Sequence, residues 1–149
     1  MRAVVQRVTS ARVSVDERLV GSIAHGLLVY VGVADGDGRV DTEYLANKIA
    51  GLRVFADEAG RFDRSVREVD GAVLLVSQFT LYGDCRRGRR PSFDQAARPD
   101  VARQLYEGLA EALRRLGVRV DLGVFQEHMT VVSTNDGPVT MLLDSRKEF

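Results

Sequence analysis

One cysteine and two histidines are all the soft metal-binding and base chemistry that this 149-residue chain offers. A single cysteine, Cys85, excludes an intramolecular disulfide framework and fits a reducing compartment. His25 and His128 stand at no ligand spacing from each other or from Cys85, so neither a metal centre nor a cofactor is expected. Net charge is missing as well. Lys+Arg and Asp+Glu each number 21, so a nucleic-acid role can rest only on local patches. No apolar run approaches the ~20 residues needed to span a bilayer, and the N-terminus alternates apolar and polar residues without a signal-peptide core. These absences predict a cytoplasmic protein with no membrane partner. What is present is ordinary: 45% apolar and 28% charged residues, in a length that fits one domain over residues 1–149.

Alternation predicts strands at Met1–Val8, Ala11–Val15 and Leu19–Ile23, with a polar turn at Asp16–Arg18. Gly26 opens a nearly all-apolar strand through Val33, closed by the loop Asp35-Gly36-Asp37-Gly38, which matches a calcium loop poorly. A helix is expected from Asp41, with Tyr44, Leu45, Ile49 and Leu52 on its apolar face. Val54-Phe55 reads as a short strand, 57–61 as a turn, and 62–71 as a charged, exposed segment. A second helix begins at Pro99-Asp100, with its stripe at Val101, Leu105, Leu109, Leu113 and Leu116 and Gly117 as its cap. Strands follow at 118–122, 129–133 and 139–144, the last two separated by the sharp break Asn135-Asp136-Gly137-Pro138. The fold class expected is α/β: mixed β-sheets with two main helices on one side.

The stretch from Ala72 to Phe93 carries the chemistry. Ala72-Val73-Leu74-Leu75-Val76 reads as a strand buried on both faces. It turns polar in Ser77-Gln78-Phe79-Thr80-Leu81 without a turn signal, and polar groups at a buried strand end need partners or a job. Four arginines follow, Arg86, Arg87, Arg89 and Arg90, either as a solvated turn or as a phosphate-binding lip. The hydroxyls of Ser77 and Thr80 lack a neighbouring base and a nucleophile elbow. Either they satisfy backbone groups, or the site works by positioning and by backbone N–H groups holding an oxyanion, which suits a reactive substrate such as an ester. Gly137-Pro138 is either a hairpin turn or a rigid element that presents its carbonyls to a ligand. Cys85 is read as inert despite its arginine neighbours, and the histidines as packing or surface residues.

Ser77-Gln78-Phe79-Thr80-Leu81 and Asn135-Asp136-Gly137-Pro138-Val139-Thr140 together resemble the paired motifs of the D-aminoacyl-tRNA deacylases. The resemblance extends to Met1-Arg2-Ala3-Val4-Val5-Gln6-Arg7-Val8, Gly26-Leu27-Leu28-Val29, Tyr44–Ile49 and Gly88–Phe93, essentially the whole chain. It implies a three-layer α/β/β fold and a homodimer. It also implies hydrolysis of the ester between a D-amino acid and the terminal adenosine of tRNA, with mischarged glycyl-tRNA as a further substrate. Ser77, Gln78, Phe79 and Thr80 then form the catalytic pocket wall. Gly137 and Pro138, held cis and braced by Arg7, reach into the partner subunit's pocket as a chirality gate. The resemblance further implies that the RNA's own 2′-hydroxyl assists the reaction. Phe125 and Met129 fall where the family holds the adenosine, but Gln126 and Glu127 replace its small residues there.

Two other readings remain open: an RNA-end-binding protein of the same fold without turnover, and a small-ester hydrolase using Thr80 or Cys85 with His128.

Overall fold

Two apolar runs lie side by side at the centre of the computed structural model, which describes residues 1–149. β3 (Gly26–Gly32) and β6 (Ala72–Ser77) pair in parallel, from Gly26 opposite Ala72 to Val31 opposite Ser77. A parallel pair is stable only where both faces are covered, which is why these strands are apolar at successive positions. Leu27, Val29, Val31, Val73 and Leu75 belong to a core shared with the two helices. Leu28, Leu74 and Val76 instead join Val8, Ala11, Val13 and Ile23 in a second, smaller core. The result is three layers: helices, central sheet, and a second β layer.

β1 (Arg2–Val15) serves both β layers. Its first half runs antiparallel to β3, and its second half to β2 (Arg18–Ile23). β8 (Thr130–Asp144) follows the other edge of β1 for nearly its full length. The two strand pairs expected at 1–8 with 11–15, and at 129–133 with 139–144, are therefore single long strands. The sharp break at Asn135–Pro138 is not a hairpin turn. Gln6 pairs with Thr140 and Val8 with Asn135, so one residue of β1, Arg7, faces four of β8, 136–139. This is an enlarged bulge, and it houses a proline that could not donate to the ladder.

α1 (Arg39–Gly51) starts two residues before the expected Asp41, because the Asp41 carboxylate accepts the Gly38 N–H at 2.9 Å and so closes the first turn. α2 (Pro99–Arg115) starts on proline, as expected, and Gly117 follows it with φ +81°. Its first stripe residue, Val101, is exposed, and burial begins in earnest at Tyr106. β7 (Arg119–Leu122) returns parallel to β6. β4 (Phe55–Ala56) and β5 (Phe62–Arg64) form a small separate hairpin. The segment 62–71 is not uniformly exposed, since Ser65 and Val66 are buried. Asp37 also points inward, accepting the Ala34 N–H and pairing with the Met1 ammonium at 2.8 Å. No helix is long and apolar enough to cross a membrane.

Two glycines predict opposite outcomes. A Cβ on Gly26 would run into the Ala72 carbonyl oxygen, so Gly26→Ala should cost about 3 kcal/mol as the β3–β6 pair is forced apart. Gly108 lies inside α2, with Thr42 Cγ2 no closer than 3.8 Å to an added methyl, so Gly108→Ala should add about 0.5–1 kcal/mol. Urea denaturation of both variants checks the pair of signs.

Candidate active site

Because β3 and β6 run in parallel, their carboxyl ends stop at the same edge of the sheet. Crevices beyond such strand ends are where open α/β sheets bind ligands. A cavity of about 550 Å³ opens there. Val31 of β3, Val33 just beyond its end, and Val76 and Ser77 of β6 form its floor. α2 supplies Ala102 and Tyr106. The turn after β7 closes the far wall with 125–129.

The polar end of β6 forms the near wall. The Gln78 N–H donates to the Val31 carbonyl at 2.7 Å, the last ladder bond, and the chain then curls into a 3₁₀ turn over Phe79–Tyr82. The first bond of that turn runs from the Leu81 N–H to the Gln78 carbonyl at 3.3 Å. The N–H groups of Phe79 and Thr80 therefore precede it, at the end of a helical turn where donors lack internal acceptors. Ser77, Gln78 and Phe79 line the cavity. Thr80 stands just outside and is exposed, and its hydroxyl oxygen accepts a short hydrogen bond from Gln78 Nε2. No histidine or carboxylate is bonded to either hydroxyl. His128 lies in the far wall and Cys85 is exposed in the arginine loop, so the nucleophile and base pairing is not assembled.

Phe125 and Met129 both line the cavity, as do Gln126 and Glu127 between them. Gln126 has φ +64°, a conformation in which glycine would be at ease. Tyr106 was not singled out from the sequence. Its hydroxyl donates at 2.8 Å to the Leu75 carbonyl, which also accepts the Gly123 N–H, and so ties α2 and the far wall to β6. Burial pushes its phenol well above the ordinary range. The signal was available: Tyr106 sits three residues before Leu109, beside the expected stripe.

The arginines occupy an exposed loop closed by paired backbone bonds between Asp84 and Ser92. Asp84 takes three hydrogen bonds from Arg86, which hold its carboxyl down at about 2. Arg87, Arg89 and Arg90 have no carboxylate partner. Phe93 at the end of the loop packs edge-on against Phe79 at 4.9 Å, which sets the loop beside the cavity wall.

Gly137 and Pro138 lie elsewhere. Their peptide bond is cis, and both residues are exposed. Arg7 holds the bulge: Nε donates to the Asp136 carbonyl at 3.0 Å and pairs with its carboxylate at 3.1 Å, while Nη1 donates to the Val54 carbonyl at 2.6 Å. Asn135 accepts the Val139 N–H across the same bulge. Arg7 is level with Leu27 on β3, whereas Ser77 is level with Val31. At about 3.3 Å per residue the bulge sits roughly 13 Å from the polar strand end of the same chain.

A family model described as D-Tyr-tRNA(Tyr) deacylase matches residues 4–144. The D-aminoacyl-tRNA deacylase of Thermotoga petrophila is 58% identical over 149 residues, covering 100% of both chains. That of Symbiobacterium thermophilum is also 58% identical, covering 100% of this chain and 99% of its own. Among solved structures, the c-Myc DNA Unwinding Element Binding Protein superposes with a TM-score of 0.91 at 38% identity, over 97% of this chain and 98% of its own. A probable eukaryotic D-amino acid tRNA deacylase, at 18% identity and a TM-score of 0.83 over 95% and 97%, shares the fold.

The arginine loop yields a titration that can be checked. Asp84 should titrate at about 2, and Arg86→Ala should raise it toward the ordinary value of roughly 3.9. With its folded value depressed, the carboxylate contributes stability above the unfolded value and loses it as pH falls through about 2. Carboxyl NMR titration of both forms measures the shift.

Proposed function

The chain belongs to the D-Tyr-tRNA(Tyr) deacylase family, and from that premise we infer its activity: it hydrolyses the ester joining a D-amino acid to the 3′-terminal adenosine of tRNA, releasing the free D-amino acid and the tRNA. The observation that carries this reading is a cavity of about 550 Å³ whose polar wall, Ser77–Phe79, is bonded to no base, with the Thr80 hydroxyl beside it bonded only to Gln78. An aminoacyl ester needs little activation. Positioning and oxyanion stabilisation are enough, and the Phe79 and Thr80 N–H groups are the donors we assign. Gln78, bonded to Thr80, fixes the shape of the turn that presents them. No side chain is placed as a base, so the attacking water's proton passes to the departing 3′-oxygen, and the neighbouring ribose 2′-hydroxyl is the group within the substrate that relays it.

In this reading Phe125 and Met129 hold the terminal adenosine against the far wall. Arg87, Arg89 and Arg90 meet phosphates of the acceptor stem, and Arg86 is committed to Asp84. The gate comes from a second copy of the chain, because Gly137 and Pro138 are exposed and stand apart from their own cavity. Arg7 braces them from behind. The homodimer thereby builds two composite sites, and the protein works in the cytoplasm, where its tRNA substrates are.

A gate of backbone excludes one hand instead of recognising a side chain. An L-residue would drive its side chain into fixed carbonyls, while a D-residue points its side chain away. D-tyrosyl- and D-aspartyl-tRNA should be cleaved at comparable rates and L-tyrosyl-tRNA not detectably. Glycyl-tRNA, which has no side chain to exclude, should be cleaved as well. Assaying the four substrates with one preparation tests this. Equal activity on the L and D tyrosyl forms would sink the gate, and tRNA binding without turnover of any substrate would leave a binding protein of the same fold.

A further inference from the structure

We propose that Arg103 is a substrate-binding residue, the cation on the α2 side of the cavity mouth that holds a phosphate of the RNA strand. The proposal rests on the tRNA-ester reading above.

Arg103 follows Ala102, which lines the cavity, and precedes Tyr106 by one helical turn. Its guanidinium lies over the Phe125 ring at 4.8 Å, and the Tyr106 ring packs against Phe125 at 5.9 Å. Its Nη2 also lies 3.5 Å from Gln126 Oε1. Two residues of the far wall thus fix where this flat cation stands, at little further cost in side-chain freedom when a ligand arrives. The remaining N–H donors face outward, since Arg103 is exposed.

Charge bookkeeping around the mouth separates Arg103 from its neighbours. Arg98, at the start of the same helix, is held by Asp100 at 3.6 Å, and Arg86 by Asp84 at 2.6 Å. Arg103 has no carboxylate within ion-pair distance. Glu127, on the same wall, has no cation partner either. Without Arg103 this rim would present only a negative charge to an incoming polyanion. With it, uncompensated guanidinium groups stand on both sides of the cavity: Arg87, Arg89 and Arg90 beyond the Phe79–Phe93 pair, and Arg103 opposite. A strand whose aminoacylated end enters the cavity must leave between them. Arginine's planar fork suits a phosphate there.

The test compares D-tyrosyl-tRNA with 3′-O-(D-tyrosyl)adenosine, which carries the same ester and base but no phosphate. Arg103→Ala, at an exposed helical position, should raise KM for the tRNA about five- to tenfold at unchanged kcat and reduce the slope of log(kcat/KM) against log salt by about 0.7. The same variant should leave kcat/KM on the adenosine ester unchanged. Arg103→Lys should keep the salt slope, and Glu127→Gln should lower KM for the tRNA alone. Equal losses on both substrates in Arg103→Ala would mean that Arg103 only props Phe125, and would overturn the proposal. If the unaltered protein turns over neither substrate, the tRNA-ester reading fails, and the role of Arg103 with it.

Discussion

The parallel pairing of β3 with β6, covered on both faces, is the constraint from which the rest of the molecule follows. One cover is a pair of helices. The other is a β layer made by bending β1 and β8 out of the central sheet, which requires strands of 14 and 15 residues. Close approach is part of the same arrangement: Gly26 meets the Ala72 backbone, and Gly21 of β2 lies against the Leu122 carbonyl of β7. Because the two central strands run the same way, their ends coincide. The crevice beyond them is walled by whatever the chain places after Val31 and Val76. In this sequence that is the polar turn from Ser77 to Tyr82.

What could be read in the sequence was what local pattern controls. The two buried strands show as unbroken apolar runs, and both helices show by period and end signals. The continuity of β1 and β8 was hidden, because Asn135–Pro138 has the composition of a turn and only pairing with β1 keeps it within a strand. Ser65 and Val66 were hidden by charged neighbours, and Asp37 by its setting among glycines. The hydroxyl of Tyr106 reaches a carbonyl 31 positions back along the chain, a distance no local pattern encodes. The wall residues Ser77, Gln78 and Phe79, and Phe125 with Met129, were named from motifs, and the fold gathers them in one cavity. Thr80 stands beside that cavity, joined to it through Gln78. Gly137 and Pro138 stand apart, a separation that no local pattern measures.

Arginine does three different jobs here, and its partners tell them apart. Arg7 is nearly buried, spends its donors on two backbone carbonyls and one carboxylate, and fixes a bulge. Arg86 is clamped by Asp84, which shapes the loop and removes one charge from it. Arg87, Arg89, Arg90 and Arg103 keep their charge uncompensated beside the cavity. A chain with no net charge can therefore still face a polyanion, because most of its compensating carboxylates, Glu127 excepted, are placed away from the cavity.

The central claim is that the exposed bulge of one chain completes the cavity of another. Mixed dimers test it most directly. Ala102→Trp fills the cavity, and Gly137→Val drives a side chain against Val139 and Arg7 and displaces the bulge. Each variant alone should lose hydrolysis of D-tyrosyl-tRNA. Refolded together in equal amounts, half of the dimers are mixed, and each holds one intact cavity facing one intact bulge. About a quarter of the unaltered activity should return. A mixture no more active than its two components would contradict the account.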